Sequence, residues 1–122
     1  MEEWRIKVKK INDMKILHIE LSAPLRPEQL PTLGSSVVAV LAQEGVPPVL
    51  CISGRMPIWA HLAIAHEVQH LVPVISVFDP KLRSCVIVSS HRPEYAVGQQ
   101  IPVPDELLRE LLSPSPSSSQ QR

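Results

Sequence analysis

The sequence holds 122 residues, about one domain's worth of chain, with 44% hydrophobic residues to build a core and only 3% aromatics, so that core must come from Leu, Ile, Val and Ala. Twelve Lys and Arg balance twelve Asp and Glu, which argues against a protein that coats long duplex nucleic acid but leaves room for a small anion gripped by a few local cations. No apolar run approaches the roughly 20 residues that span a bilayer, and the charged start Met1-Glu2-Glu3-Trp4-Arg5 is unlike a signal peptide. Cys51 and Cys85 lie far apart in apolar runs without CxxC spacing, which predicts two reduced, buried thiols in a cytoplasmic protein.

In chain order, Trp4 to Lys9 alternates apolar and basic residues, the pattern of a half-buried strand. Asn12-Asp13 supplies a turn and Met14 to Leu21 resumes as a second strand, so the chain opens on a β-hairpin. Pro24, Pro27 and Pro31 break the next segment; Pro27-Glu28-Gln29 can open a short helix, and Ser35 or Ser36 can cap another over Val37 to Glu44, ended by Gly45. Val49 to Ile52 is a short continuous apolar run, as in a buried central strand. After Ser53-Gly54-Arg55-Met56-Pro57, a helix is expected over Ile58 to His70, then a strand over Val74 to Phe78, a turn at Asp79 to Arg83, and a strand over Ser84 to Ser89. Pro104-Asp105-Glu106 opens a last helix through Leu112, with Asp105 as its cap, and the Ser/Pro-rich stretch from 113 to 122 reads as a disordered tail to a single domain over 1–112. Strand, helix, strand at the centre argues for a parallel pair. The fold class is therefore α/β, a small domain with a mixed central sheet, an N-terminal β-hairpin and flanking helices.

Ligands in such sheets bind at the carboxyl ends of the strands, and the polar residues there carry the candidate chemistry. Gly54 permits a tight turn, and the backbone N–H groups around Ser53-Gly54-Arg55 suit an anion. Arg55 is either a solvated turn arginine or a two-pronged phosphate ligand. Asp79 is either a turn cap or a metal ligand and base beside a cleft, with Lys81 and Arg83 placed to neutralise phosphate charge. His91 follows the next strand and is expected to complete the cluster. Of five histidines, His61 falls on the apolar arc of its helix and reads as a structural core residue. His66 and His70 lie one turn apart, where two imidazoles share a metal or a proton task. His66-Glu67-Val68-Gln69-His70 also fits the HExxH pattern of zinc peptidases, although a peptidase needs a third ligand and a substrate cleft.

The run Ile52-Ser53-Gly54-Arg55-Met56-Pro57-Ile58-Trp59-Ala60-His61-Leu62-Ala63-Ile64-Ala65-His66, with Val77-Phe78-Asp79-Pro80-Lys81-Leu82 and Val86 to His91, resembles the small CRISPR-associated ring nucleases of the Csx-three type, over about the first hundred residues. The resemblance implies a CARF-like, ferredoxin-like domain that forms homodimers and binds cyclic tetra-adenylate, two dimers sandwiching one ring. It implies a manganese-dependent phosphodiesterase that switches off type III CRISPR antiviral signalling. By position, Asp79 matches the family's catalytic aspartate and His70 its catalytic histidine, the two also standing as expected Mn2+ ligands. His66 and Lys81 join them as candidate catalytic residues. Ser53, Gly54, Arg55 and Pro57 match the phosphate-cradling turn, and Arg83 and His91 complete the expected ligand-binding set. Lys81 stands where the family has Arg, keeping the charge but not the fork. The rival to an enzyme is a non-catalytic sensor or sponge for the same ring.

Overall fold

The computed structural model describes residues 3–113; the expected tail beyond Ser113 lies outside them. The alternating segments pair as an antiparallel hairpin, β1 (Trp4–Ile11) with β2 (Met14–Leu21), in register from Trp4↔Leu21 to Ile11↔Met14. Asn12 closes the turn at φ 52°, a left-handed conformation Asn adopts more readily than most residues. The proline-punctuated segment does not form two short helices. A 3-10 turn at Pro27–Gln29 runs directly into α1 (Leu30–Glu44). Ser35 and Ser36 lie inside α1 and cap nothing; the Ser36 hydroxyl donates to the Thr32 carbonyl one turn back at 2.9 Å. The valine-rich stretch takes the helix because Leu33, Val37 and Leu41 recur every four residues and are wholly buried. Lys15 donates to the Glu44 and Gly45 carbonyls, setting a cation at the negative end of α1.

The centre of the sheet is β3 (Val49–Gly54), followed by α2 (Ile58–Val68) and β4 (Val74–Asp79). β3 is parallel to β4, as the strand–helix–strand order predicts, and it is also parallel to β2. β5 (Ser84–Ser90) returns antiparallel to β4, and β6 (Gln100–Pro102), too short and polar to show in the sequence pattern, adds to its edge. The result is a six-stranded mixed sheet in sequential order β1 to β6. α3 (Asp105–Leu112) closes the domain, with Pro104 in the cap position expected for Asp105. α2 stops at Val68, so His70 lies beyond the helix predicted to carry it.

Each face of the sheet has its own core. Leu17, Ile19, Leu50 and Ile52 pack under α1 and α2 through Leu33, Val37, Leu41, Ala60, Ile64 and Val68. Met14, Ile16, Val49, Val74, Phe78 and Ile87 pack on the other face against Leu108 and Leu111 of α3. The layering is therefore helix, sheet, helix, the α/β architecture expected. No helix among the described residues is long and apolar enough to cross a membrane.

Cys51 and Cys85 are disulfide-bonded, with Cα atoms 6.2 Å apart, which corrects the expectation of two reduced thiols. Both are wholly buried on the α3 face, on β3 and β5. Ser76 of the intervening β4 pairs with Cys51, so the two share a face, and its short side chain turns to the Leu50 carbonyl at 3.0 Å. A sequence separation of 34 residues conceals this adjacency. Closing a loop of that length stabilises a fold by about 3–4 kcal/mol in the chain-entropy account. Thermal unfolding with and without dithiothreitol is expected to show a lower Tm on reduction, and a Cys51→Ala/Cys85→Ala variant is expected to melt at one temperature in both conditions.

Candidate functional site

Three parallel strands deliver their C-terminal ends to one edge of the sheet, and a pocket of about 190 Å³ opens there. It is lined by Ser53, Gly54 and Arg55 around the end of β3, Val77, Phe78 and Pro80 around the end of β4, His61 of α2, and Leu111 and Leu112 of α3. The loops after β3 and β4, distant in sequence, thus share one pocket. Gly54 is indispensable to the turn: its φ is 147°, and a Cβ there would stand 2.5 Å from the Ile19 carbonyl oxygen of β2. Arg55 leaves this turn and donates from Nη2 to the Leu112 carbonyl at 2.9 Å, a cation against the C-terminal end of α3. Pro57 occupies the cap position of α2 with extended backbone, so the helix starts at the pocket's edge.

Asp79 ends β4 at the same edge. Its Oδ1 accepts from the backbone N–H groups of Lys81 at 2.8 Å and Leu82 at 3.2 Å, so the turn-cap reading of Asp79 is realised. That bonding fixes the direction of the carboxylate and carries Lys81 and Arg83 round the turn. Arg83, at φ 53°, lines a shallower groove with Asp105, Leu108, Arg109 and Leu112, next to the first pocket through their shared Leu112.

The candidate histidines lie elsewhere. α2 runs away from the pocket, so His66 sits exposed near its far end, with Nδ1 3.2 Å from Gln69 Nε2. His70 is exposed in the turn after the helix. β5 runs opposite to β4, so His91 falls beside the start of β4, its N–H donating to the Pro73 carbonyl at 2.9 Å. The expectation that three strand ends form one cluster is thereby corrected: two meet at the pocket, and the third, with His91, is at the opposite edge. His70 precedes the first residue of β4 and Asp79 is its last; the strand alone puts about 17 Å between the two edges.

Among the described residues, no three His, Cys, Asp or Glu side chains gather as a metal-binding group. Asp79 and His70, the expected ligands of manganese, do not meet within one chain, so this pair does not hold one ion within a single protomer. The HExxH reading fails on the same ground: His66 and His70 are not on one continuous helix, and Glu67 packs near Gly34 of α1, where a Cβ would meet its Cγ at 2.9 Å.

Two residues at the pocket have a part that the sequence pattern did not assign to them. His18 of β2 is 5% exposed, and its Nδ1 lies 2.9 Å from the Ser53 hydroxyl oxygen. A signal was present: His18 is in phase with the buried Met14 and Ile16, so it was a buried polar group in need of a partner. His61 is half-buried at the pocket wall and not merely a core residue; among the described residues its buried Nδ1 has no hydrogen-bond partner. Burial pushes both histidines below the usual imidazole pKa, offset for His18 chiefly by Glu20 and for His61 by the Gly54 backbone.

In open α/β sheets the carboxyl ends of the parallel strands are where ligands bind, and here that edge carries a pocket bordered by a glycine turn and an arginine. Residues 18–102 match the family described as CRISPR-associated protein (Cas_csx3). An uncharacterized protein of Aquifex aeolicus (strain VF5) is 37% identical over 101 residues, spanning 82% of this chain and 88% of that one. The chain belongs to the Cas_csx3 family of CRISPR-associated proteins.

Gly54→Ala, forced into a strained φ against backbone, is expected to lose at least about 1–3 kcal/mol in urea unfolding. The site also makes stability depend on pH. The unfolded chain binds protons at His18 and His61 at a higher pH than the folded one does. Their contribution is therefore fully present above the ordinary histidine pKa and lost as pH falls from about 6.5 through the lowered values. Melting temperature across this range is expected to fall on acidification, and to fall less in His18→Asn.

Proposed function

We propose that this protein is a ring nuclease: a phosphodiesterase that binds cyclic tetra-adenylate and cleaves it, ending type III CRISPR signalling, with each reaction site assembled from more than one molecule. The observation that carries this reading is the division of the candidate residues between two edges of the sheet. Ser53, Gly54, Arg55, Pro57, Asp79, Lys81 and Arg83 stand at or beside the pocket edge; His66, His70 and His91 stand at the other. Their separation supports a site in which the histidine edge of one dimer meets the pocket edge of another across the ring.

The residues have chemistry suited to those roles. Arg55, Lys81 and Arg83 place three positive charges at one edge of a chain whose net charge is zero, enough for the few phosphates of a small ring without the surplus that a long nucleic acid requires. A symmetric dimer presents each of these cations twice, matching a ring with two-fold symmetry. Release of Arg55 from the Leu112 carbonyl in favour of a phosphate exchanges a single bond to a neutral oxygen for a two-pronged pairing with an anion, which is stronger. Asp79, held by its own turn, offers a carboxylate of fixed direction. His70, exposed after α2, supplies or removes a proton at the scissile phosphodiester when a second molecule presents it.

The second reading, a non-catalytic sensor or sponge, draws on the engagement of Asp79 Oδ1 in its turn. Incubation with radiolabelled cyclic tetra-adenylate, with and without manganese, separates the two: shorter products support the nuclease, and tight binding without products supports the sensor. Asp79→Ala and His70→Ala are each expected to abolish cleavage and spare binding, whereas Arg55→Ala is expected to weaken binding itself. An equimolar mixture of Asp79→Ala and His70→Ala is expected to recover part of the activity, since some shared sites then receive an intact residue from each. Two inactive variants that stay inactive when mixed would refute the shared site.

A further inference from the structure

The phosphate-cradling turn is pinned from the strand beside it. In the parallel pairing of β2 and β3, His18 stands opposite Ser53 and Ile19 opposite Gly54. The first pair is joined through side chains, His18 Nδ1 to Ser53 Oγ at 2.9 Å, and the second through the close approach of Gly54 to the Ile19 carbonyl. Ser53 is 1% exposed and yet contributes to the pocket wall; His18 is 5% exposed and does not. Whatever His18 does for a ligand, it does through Ser53.

We propose that His18 is a positioning residue for this turn: its bond to Ser53 fixes the serine hydroxyl, so that Ser53, Gly54 and Arg55 meet a phosphate of the bound ring as one preset surface. This rests on the reading of the protein as a binder of cyclic tetra-adenylate. A serine hydroxyl has one proton to give and two lone pairs. With one of these directions held by an imidazole, the remaining ones are set before a ligand arrives. Preset groups spare the ordering that binding otherwise costs. The imidazole has a defined charge state in which to do this. It is flanked by Lys7 and Lys9 of β1, Glu20 on its own strand and Glu110 of α3, acids and bases that oppose one another, while burial favours the neutral form. A neutral imidazole has one N–H and one bare nitrogen, so its bond to Ser53 has a single sense at a time.

The test is a double-mutant cycle on binding of cyclic tetra-adenylate. Loss of one hydrogen bond predicts that His18→Leu weakens the Kd roughly tenfold. His18→Asn, which sets an amide near the site of Nδ1, is expected to stay within about threefold of the parent. Ser53→Ala should weaken binding about as much as His18→Leu, and the double variant should lose no more than either one. Parent-like affinity in His18→Leu, or losses that multiply in the double variant, overturns the proposal. Should the unmutated protein bind no ring, the function above falls, and this inference is judged by histidine ¹⁵N resonances instead. Ser53→Ala is then expected to shift the side-chain nitrogen signal that disappears in His18→Asn, and an unmoved signal overturns the clamp.

Discussion

Strand direction is the constraint on which the organisation of this molecule depends. Parallel pairing of β2, β3 and β4 sends three chain segments toward one edge, and each must turn there with its polar residues still attached. β5 comes back antiparallel, so the residues after it are committed to the other edge. The pocket, the glycine turn, Arg55 and Asp79 are consequences of the first arrangement, and the distance of His91 from them is a consequence of the second. His70 is parted from them by the full length of β4, which it precedes and Asp79 ends.

The helices finish what the strands begin, on opposite faces. α1 and α2 bury the side of Leu17, Leu50 and Ile52, and α2 brings His61 to the pocket from that side. α3 covers the other side through Leu108 and Leu111, the side on which Ile16 and the Cys51–Cys85 disulfide lie. The last residues of α3 also close the pocket, and the terminal carbonyl of Leu112 receives Arg55. A helix added for packing thus supplies the acceptor that holds Arg55 beside the pocket. Lys9 to Glu110 at 3.0 Å ties the same helix to the hairpin edge, although an exposed pair of this kind adds little stability.

Much of the fold was legible because its signals are local. The alternation of β1 and β2 around Asn12-Asp13, the short apolar run of β3, the proline before α2 and the turn at Asp79 each report on a few adjacent residues, and each of these elements begins where expected. The departures have common physical causes. Ser35 and Ser36 looked like caps because a hydroxyl before an apolar run is a local cue, but the burial of Leu33 extended the helix past them. β6 has no local pattern; it forms because β5 offers it an edge. His61 was assigned from its helical phase alone, which says which side of α2 it occupies but not that the Ser53–Gly54 turn comes up against that side.

By itself, the order of residues determined the class of fold, the family motif and the chemical types available, since periodicity, turn residues and short motifs are properties of neighbouring positions. Only the folded chain decided which of those groups meet. The Cys51–Cys85 bond, the His18–Ser53 pair and the division of His70 from Asp79 all depend on strand order, direction and register, which place residues far apart in sequence beside each other and residues close in sequence at opposite edges. A strand rises about 3.3 Å per residue while its neighbour lies only about 4.8 Å away. Nearness across the sheet therefore carries no trace in the spacing along the chain.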